Sequence, residues 1–320
     1  MFQLYEKIDG IFIMSDTHIR KTQSGTEYMT AMLIRGNERI KLVLWESIPD
    51  DPALLEGGFV YVKGTVGEYR NEKQVTAESI TLVDPTASFD RSQIVPCAPI
   101  DATACFAELT GTVSAMEDEP LKSVCEFTLA SLKHRLLEIP AAKSVHHAFL
   151  GGLLMHVTTM LRMAKALYNI YTSFPGRKDC IDPDTLYAGI ILHDIGKVLE
   201  FNCYACGLVE EYSVEGKQFG HSVLGVRILE NVCKIKNAFS IRIEQVKHML
   251  LSHHGSFEHG AAVEPMTIEA IILSQLDGLD SKTEAAIEAL TEVEPGGFSE
   301  RIFAFDGRQL YKPRKGSYLE

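Results

Sequence analysis

The stretch LHDIGKVLEF at residues 192–201 places a histidine and an aspartate side by side at the end of an apolar run. That run, YAGIIL, has the composition of a buried helix. Buried imidazoles and carboxylates are costly unless they pair with each other or bind a metal ion. The stretch therefore predicts a helical domain whose centre holds polar groups, with His193 and Asp194 among them.

Further histidines and aspartates lie on helical segments to either side of this pair. A single histidine in an apolar helix usually makes a hydrogen bond in the core, and a single aspartate on a helix is usually solvated. Several together indicate a metal site, because neutral imidazole nitrogens and carboxylate oxygens bind Zn, Mn, Fe and related ions. The candidate metal ligands are His156, His193, Asp194, His221, His253, His254 and Asp277.

The apolar pattern changes between the two parts of the chain. Helical three- and four-residue spacing begins near Ala104 and continues to about residue 292. Before it, turn signals separate short runs of β-branched and aromatic residues, and five strands in about eighty residues suit a small closed or partly open barrel. The predicted strands are 11–14, 28–34, 40–45, 59–66 and 74–83, with a short helical stretch at 50–56.

These patterns predict a multidomain α+β protein, with an N-terminal β-barrel followed by an all-α domain. The predicted parts are the barrel at 1–85, a proline-containing linker at 86–103, the helical domain at 104–300 and a C-terminal strand or hairpin with a loose tail at 301–320.

The composition, 46% hydrophobic and 23% charged, is that of a folded globular protein. No apolar run reaches eighteen residues, and the first ten residues lack the pattern of a signal peptide, so we expect a cytoplasmic protein without a membrane partner. Seven scattered cysteines do not form a disulfide framework. Cys203 and Cys206 form a C-x-x-C without a second ligand pair for zinc, and are expected to be reduced thiols.

The net charge of −12 excludes strong non-specific nucleic-acid binding over the whole surface. Residues 1–85 are also acidic, with nine Lys and Arg against thirteen Asp and Glu. A local groove on the barrel remains compatible with a bound single strand, and so does docking of a protein partner or another subunit on the barrel.

The order H…HD…H…H…D resembles that of the HD superfamily of metal-dependent phosphohydrolases. The resemblance implies a first ion held by His156, His193, Asp194 and Asp277. Asp194 would bridge to a second ion, which His221 and His253 or His254 would complete. Lys197 would reach the scissile phosphate or protonate the leaving oxygen, unless it is simply a solvated lysine at a helix end. Asp280 would lie behind the ligands or in solvent.

Longer stretches resemble the YhaM-type 3′→5′ exoribonucleases. They are IPAAKSVHHAFLGGLLMHV (139–157), LHDIGKVLEF (192–201), EYSVEGKQFGHSVLG (211–225), LSHHG (251–255) and, nearer the N-terminus, GTEYMTAMLIRGNERIKLVLWE and VYVKGTVGEYRNEKQVT. The resemblance implies an N-terminal OB-fold and an HD domain that release nucleoside 5′-monophosphates from single-stranded RNA, with single-stranded DNA as an alternative substrate. It also implies two divalent ions, Mn²⁺ first, with Fe, Co or Zn as alternatives; a homo-oligomer is left open.

Substrate-binding candidates come from both domains. An OB-fold binds single strands through stacking aromatics and basic side chains. The barrel candidates are Tyr28, Trp45, Tyr61, Tyr69, Lys63 and Arg70, with Phe12, Arg20, Lys21, Arg35 and Lys73 as further ones. Strand alternation places about half of the aromatics in the core. His146 and His147 match a paired histidine of the family and would contact phosphate or cap a helix.

Three other interpretations fit the same residues. The chain would act on small nucleotides, with the barrel used for assembly or regulation. Alternatively it would be a non-catalytic single-strand-binding protein, or the metals would be iron and perform oxygen chemistry. Activity on a labelled oligonucleotide, metal content and oxygen dependence distinguish these interpretations from the exoribonuclease.

Overall fold

The computed structural model describes residues 2–36, 38–84, 87–143 and 147–314, apart from the side chain of Phe303. Its internal contacts divide the chain into two compact units. The first comprises Met1–Pro99 and Asn202–Glu211, and the second Ile100–Phe201 and Tyr212–Glu320. The division after Pro99 falls inside segment 86–103, where the sequence predicts a linker.

The first unit is a closed five-stranded barrel. Its strands are β1 (Lys7–Lys21), β2 (Glu27–Arg35), β3 (Glu38–Leu44), β4 (Phe59–Tyr69) and β5 (Glu72–Leu82), in the order β1-β2-β3-β5-β4. Strand β4 pairs back onto β1, and only β3 and β5 run parallel. A single 3₁₀ turn, Pro52–Leu55, precedes β4. The predicted barrel and its short helical stretch are confirmed.

Period-two alternation fills the barrel with apolar side chains. On β3, Ile40, Leu42 and Leu44 are buried, whereas Arg39 and Lys41 are exposed; Val43, near the end of the strand, is buried as well. Phe12 on β1 also lies in this core, with only 2% of its surface exposed. Phe12 is therefore a packing residue, and it was wrong to count it among the stacking candidates.

The segment after β5 packs on the barrel. The backbone N–H of Gly36 donates to the carbonyl of Ile94 (2.8 Å), and the rings of Phe59 and Phe89 meet edge to face at 4.9 Å. Ile94 and Val95 are buried. Most of the proline-containing segment is thus an ordered part of the first unit.

The second unit is built mainly from helices; a small hairpin interrupts them in the sequence, and most of it lies in Asn202–Glu211 of the first unit. Its helices are α1 (Ala102–Ser114), α2 (Glu119–Glu138), α3 (Gly152–Thr172), α4 (Pro183–Leu192), α5 (Lys197–Glu200), α6 (Val214–Lys236), α7 (Ile241–Ser252) and α8 (Ile268–Thr291). Two short strands, β6 (Phe201–Cys203) and β7 (Val209–Tyr212), interrupt the helices and form a two-stranded sheet. Among the helices of the described residues, none combines the length and apolar character that crossing a bilayer requires.

Side-chain caps explain where several helices begin. Asp101 accepts a hydrogen bond from the N–H of Ala104 at the start of α1, and Thr267 does the same for Ala270 at the start of α8. Near the C-terminus, antiparallel bridges join Phe298 to Tyr311 and Ile302 to Arg308. The sequence predicts a strand or hairpin in this region; residues 315–320 of the predicted tail lie outside the described part of the chain.

Helix α4 occupies the centre of the helical unit and packs against α3, α7 and α8. Leu186, Ala188, Ile190 and Leu192 are all buried on it, because neighbouring helices cover more than one face. This explains the continuous apolar run in the sequence. The buried C-terminal end of α4 delivers His193 and Asp194 to the interior.

Candidate metal centre

Five helices bring histidines and aspartates to one place. His156 lies within α3, Asp277 within α8 and His221 within α6, whereas His193–Asp194 and His253–His254 directly follow α4 and α7. His193, His156, Asp194 and His253 are each no more than 3% exposed. The interior of the helical unit is thus polar at the point where α3, α4, α6, α7 and α8 meet.

The first cluster consists of His156, His193 and Asp277. The Nε2 atoms of His156 and His193 lie 3.3 Å apart, and His156 Nε2 lies 3.4 Å from Asp277 Oδ1. One potential ligand atom from each residue falls within 4.8 Å of the others.

The second cluster consists of His221, His253 and His254. The Nε2 atoms of His221 and His253 lie 3.2 Å apart, and one ring nitrogen of His254 lies within 4.8 Å of both residues' ligand atoms. The sequence left open which of His253 and His254 belongs here. The structure brings both to the cluster.

Asp194 lies between the two clusters and turns one oxygen toward each. Its Oδ2 is 3.3 Å from His193 Nε2 and 3.8 Å from His156 Nε2. Its Oδ1 is 3.3 Å from His221 Nε2 and 3.8 Å from His253 Nε2. This is the arrangement that a carboxylate bridging two ions requires.

Each of the four inward-facing imidazoles is held at its other nitrogen. The Nδ1 of His193 donates to the carbonyl of Ile190 (2.9 Å), and that of His253 to the carbonyl of Leu250 (2.8 Å). The Nδ1 of His156 lies 2.6 Å from Asp280 Oδ2, and that of His221 3.1 Å from Glu200 Oε1. In a neutral imidazole whose proton is on Nδ1, the Nε2 lone pair is available for a ligand.

Asp280 and His147 lie behind the first cluster. Asp280 is 4% exposed and bonds to both His156 and His147, the latter at 3.0 Å from its Nε2. Asp280 is therefore not solvated, which decides between the two alternatives for it. The side chain of His147 is fully buried against Asp280 and does not face the substrate side. His146 lies outside the described residues.

Two glycines allow the backbone after His193–Asp194 to pack closely against the backbone at His221. A Cβ on Gly196, after the His193–Asp194 pair, would lie 1.9 Å from the carbonyl oxygen of His221. Gly220 has φ +68° within α6, which turns the chain so that a second helical segment begins at His221. The carboxylate of Glu200 accepts from the N–H of His221 at 2.9 Å and caps that segment.

Charges and burial set the protonation of the cluster residues. Burial lowers the pKa of His156, but hydrogen bonds to Asp277 and Asp280 outweigh burial and raise the pKa to about 9. Burial likewise opposes ionisation of Asp280, yet hydrogen bonds from His147 and His156 lower its pKa to about 2. Burial and the neighbouring histidines lower the pKa of His253 and of His254.

These residues fit divalent cations. Paired Nε2 atoms that face each other at 3.2–3.3 Å repel through their lone pairs unless a positive charge lies between them. Within the described part of the chain, the buried Nδ1 of His254 has no hydrogen-bond partner. The donor set of imidazole nitrogens and carboxylate oxygens is the one that Mn, Fe, Co and Zn accept.

The clusters open into a cleft of about 1120 Å³ in the helical unit. Lys197 lines it, with Nζ 2.7 Å from Asp194 Oδ2. The cleft also contains polar residues that the sequence analysis missed, namely Ser256, His259, Gln275, Ser281 and Lys282. For Ser281, helical spacing was a usable signal, because it follows Asp277 on α8 by one turn and residues one turn apart share a face. Gln275 and Lys282 do not stand one turn from Asp277 and carried no such signal.

The barrel carries a separate groove of about 810 Å³. The rings of Tyr28 and Trp45 stack there at 4.7 Å and 25°, and the guanidinium of Arg70 lies 5.2 Å from the ring centre of Tyr69. Four of the predicted barrel residues, Tyr28, Trp45, Tyr69 and Arg70, line this groove together with Arg20.

Other predicted barrel residues lie elsewhere. Tyr61 and Lys63 are exposed on β4 but do not line the groove; Tyr61 donates to Asp9 Oδ1 at 2.6 Å. Lys21 pairs with Glu27, and Lys73 donates to the carbonyl of Phe2. Only part of the predicted set thus shares one surface.

Comparisons with known proteins agree with this architecture. The HD domain family model matches residues 153–282. The chain is 33% identical to the 3′-5′ exoribonuclease YhaM of Oceanobacillus iheyensis, over 96% of this chain and 94% of that protein. It is 34% identical to the protein of the same name from Halalkalibacterium halodurans, over 98% of this chain and 95% of that protein. The chain belongs to the YhaM family.

Membership of the YhaM family accounts for both units, because the relatives match nearly end to end and the HD match spans α3 to α8. A solved structure of the second OB-fold domain of replication protein A from Methanococcus maripaludis covers 27% of this chain and 89% of its own, at 14% identity and a TM-score of 0.19. That score is too low to support an argument. The OB-like character of the barrel rests on its five closed strands and their order.

Proposed function

We propose that this YhaM-family chain is a metal-dependent 3′→5′ exoribonuclease that releases nucleoside 5′-monophosphates from single-stranded RNA. One observation carries the proposal: a single carboxylate, Asp194, reaches two histidine clusters at an open cleft. The names of the relatives describe the same activity. Single-stranded DNA is a second substrate of the same chemical class.

The ligand assignment follows the two clusters. His156, His193, Asp194 and Asp277 would hold one divalent ion, and Asp194, His221, His253 and His254 the other. When bound, such ions lower the pKa of water and neutralise the charge on a phosphodiester. Mn²⁺ is our first candidate, with Fe, Co and Zn as alternatives that the donor set also accepts.

The protein's own groups would orient the substrate and hold its charge. The ammonium group of Lys197 lies at the wall of the cleft beside Asp194, where it would contact a phosphoryl oxygen. Gln275, Ser281 and Lys282 on the same wall would bind the sugar-phosphate of the terminal nucleotides. His193 and His253 keep their Nδ1 protons on backbone carbonyls and so act as fixed ligands, not as proton carriers.

The barrel groove would hold the single strand. The stacked pair Tyr28–Trp45 and the ring of Tyr69 offer flat surfaces to bases, and Arg20 and Arg70 offer cations to phosphates. The groove brings Arg20, Lys41 and Arg70 together with Asp16 and Glu72, so it is less acidic than the unit as a whole, which supports strand binding there. All seven cysteines are free thiols, as is usual in the cytoplasm, where we expect the protein to act.

A time course on 5′-labelled single-stranded RNA tests the proposal. With Mn²⁺, the labelled strand should shorten from its 3′ end, and EDTA should stop the shortening. Thin-layer chromatography should identify the released product as nucleoside 5′-monophosphate. RNA that stays intact with Mn²⁺ and with EDTA would contradict the proposal, and phosphate release from a nucleotide panel would then test the small-nucleotide hydrolase.

A further inference from the structure

The two histidine clusters hold their imidazoles in the same way, through contacts at the ring nitrogens that face away from the proposed metal ions. In each cluster, one imidazole is held from behind by a backbone carbonyl and one by a buried carboxylate. In the first cluster, a carbonyl holds His193 and Asp280 holds His156. In the second cluster, a carbonyl holds His253 and Glu200 holds His221.

The carbonyl-held histidines are fixed by helix geometry. The Nδ1 of His193 donates to the residue three positions earlier at the end of α4, and that of His253 does so at the end of α7. These bonds need no particular side chain. They give the first and second clusters one equivalent imidazole each, held at its Nδ1 by a backbone carbonyl.

The carboxylate-held histidines depend on side chains that come from elsewhere in the chain. Asp280 on α8 reaches His156 on α3 at 2.6 Å, and its other bond runs to the buried ring of His147. Glu200, at the end of α5, contacts His221 on α6 through both the ring Nδ1 and the backbone N–H. Both carboxylates are nearly buried, at 4% and 5% exposure.

A carboxylate that accepts a hydrogen bond from Nδ1 of a ligating imidazole fixes the ring. It also makes Nε2 a stronger electron-pair donor to a metal ion. Each cluster has one such carboxylate, and neither contacts the opposite cluster through any hydrogen bond of the described residues. We infer that Asp280 and Glu200 are positioning residues that set the affinity of the two metal sites separately, Asp280 for the ion on His156 and Glu200 for the ion on His221.

This inference rests on the proposed metal sites but not on the RNA substrate. Its test therefore uses Mn²⁺ alone. Calorimetric titration of the metal-free full chain with Mn²⁺ should show two bound ions for the wild type. Glu200→Gln and Asp280→Asn should each keep one site at wild-type affinity and weaken the other by about 10- to 100-fold.

Combination with a ligand variant identifies the weakened site. In a His221→Ala background, Glu200→Gln should add little further loss, because both changes act on the same ion. Asp280→Asn in that background should weaken the remaining site as well. Glu215→Gln, on the exposed surface of the same α6, is the matched control and should leave both affinities unchanged.

Thermal unfolding distinguishes positioning from a general loss of structure. In EDTA the conservative variants should melt close to the wild type, whereas the rise in Tm on adding Mn²⁺ should be smaller. The inference is overturned if either variant weakens both sites equally, if neither changes a Mn²⁺ affinity, or if the wild type binds a single ion. An inactive wild type that binds two ions would contradict the proposed function alone.

Discussion

The two candidate binding regions of this chain differ in how their side chains are held. In the helical unit, three of the four imidazoles and Asp194 are almost completely buried, His221 is partly buried, and each imidazole is fixed at its Nδ1. In the barrel groove, the aromatic side chains are partly open to solvent, Trp45 at 47% and Tyr69 at 57%. The side chains of the first region are therefore held in one conformation, whereas the second region presents ring surfaces on which different bases can stack.

This difference corresponds to two tasks. Chemistry at a phosphodiester needs groups fixed within a fraction of an ångström, which burial and hydrogen bonds behind the ligands supply. Binding a strand of any sequence needs flat rings and cations that tolerate every base. We therefore expect changes in the helical cleft to reduce kcat and changes in the barrel groove to raise KM.

The largest effect is expected at Asp194. Asp194→Ala removes a carboxylate that turns one oxygen toward each cluster, so kcat should fall by about 10³-fold or more. Steady-state assays with 5′-labelled RNA and Mn²⁺ measure this, and circular dichroism checks the fold. Glu288→Ala, an exposed change on α8, is the control and should keep wild-type activity. Near-normal activity of Asp194→Ala would refute the site assignment.

The next effect is expected at the stacked pair of the groove. Tyr28→Ala combined with Trp45→Ala removes two rings that stack at 4.7 Å. The loss of roughly 1–3 kcal/mol per stacked base should raise KM on a long strand by about tenfold or more and leave kcat unchanged. Tyr61→Ala, an exposed tyrosine outside the groove, is the matched control. A lower kcat with unchanged KM would contradict the assigned task of the groove.

A smaller effect is expected at Arg70, whose guanidinium lies over Tyr69 in the groove. Arg70→Ala should raise KM by about 2- to 5-fold and reduce the slope of log KM against log salt concentration by about 0.7, because one phosphate contact is lost. Lys63→Ala removes an exposed cation outside the groove and should alter neither quantity. Equal effects of Arg70→Ala and Lys63→Ala would mean that the strand responds to the net charge of the barrel and does not bind in the groove.

The smallest effect is expected at the Tyr61 hydroxyl. Tyr61→Phe removes its hydrogen bond to Asp9 on the barrel surface and nothing in the groove. Both KM and the free energy of unfolding from urea titration should stay within error of the wild type. A clear rise in KM would extend the strand-binding surface onto β4.

Much of the fold and the candidate ligands could be predicted from local patterns. The barrel strands follow two-residue alternation and turn residues, and the ligand types follow metal chemistry and order along the chain. Long-range pairing could not be predicted. Closure of β4 onto β1 decides that Tyr61 lies outside the groove, and the meeting of α3 with α8 decides that Asp280 is buried. Glu200 carried no signal, because its contact depends on the turn at Gly220.

The most direct test of the division between chemistry and strand binding compares two substrates. A dinucleotide offers one phosphodiester bond and no strand for the groove, whereas a twenty-residue RNA offers both. The Tyr28→Ala/Trp45→Ala variant should lose about tenfold or more in kcat/KM on the long RNA and match the wild type on the dinucleotide. Equal losses on both substrates would contradict the account, since the groove residues would then serve the catalytic site itself.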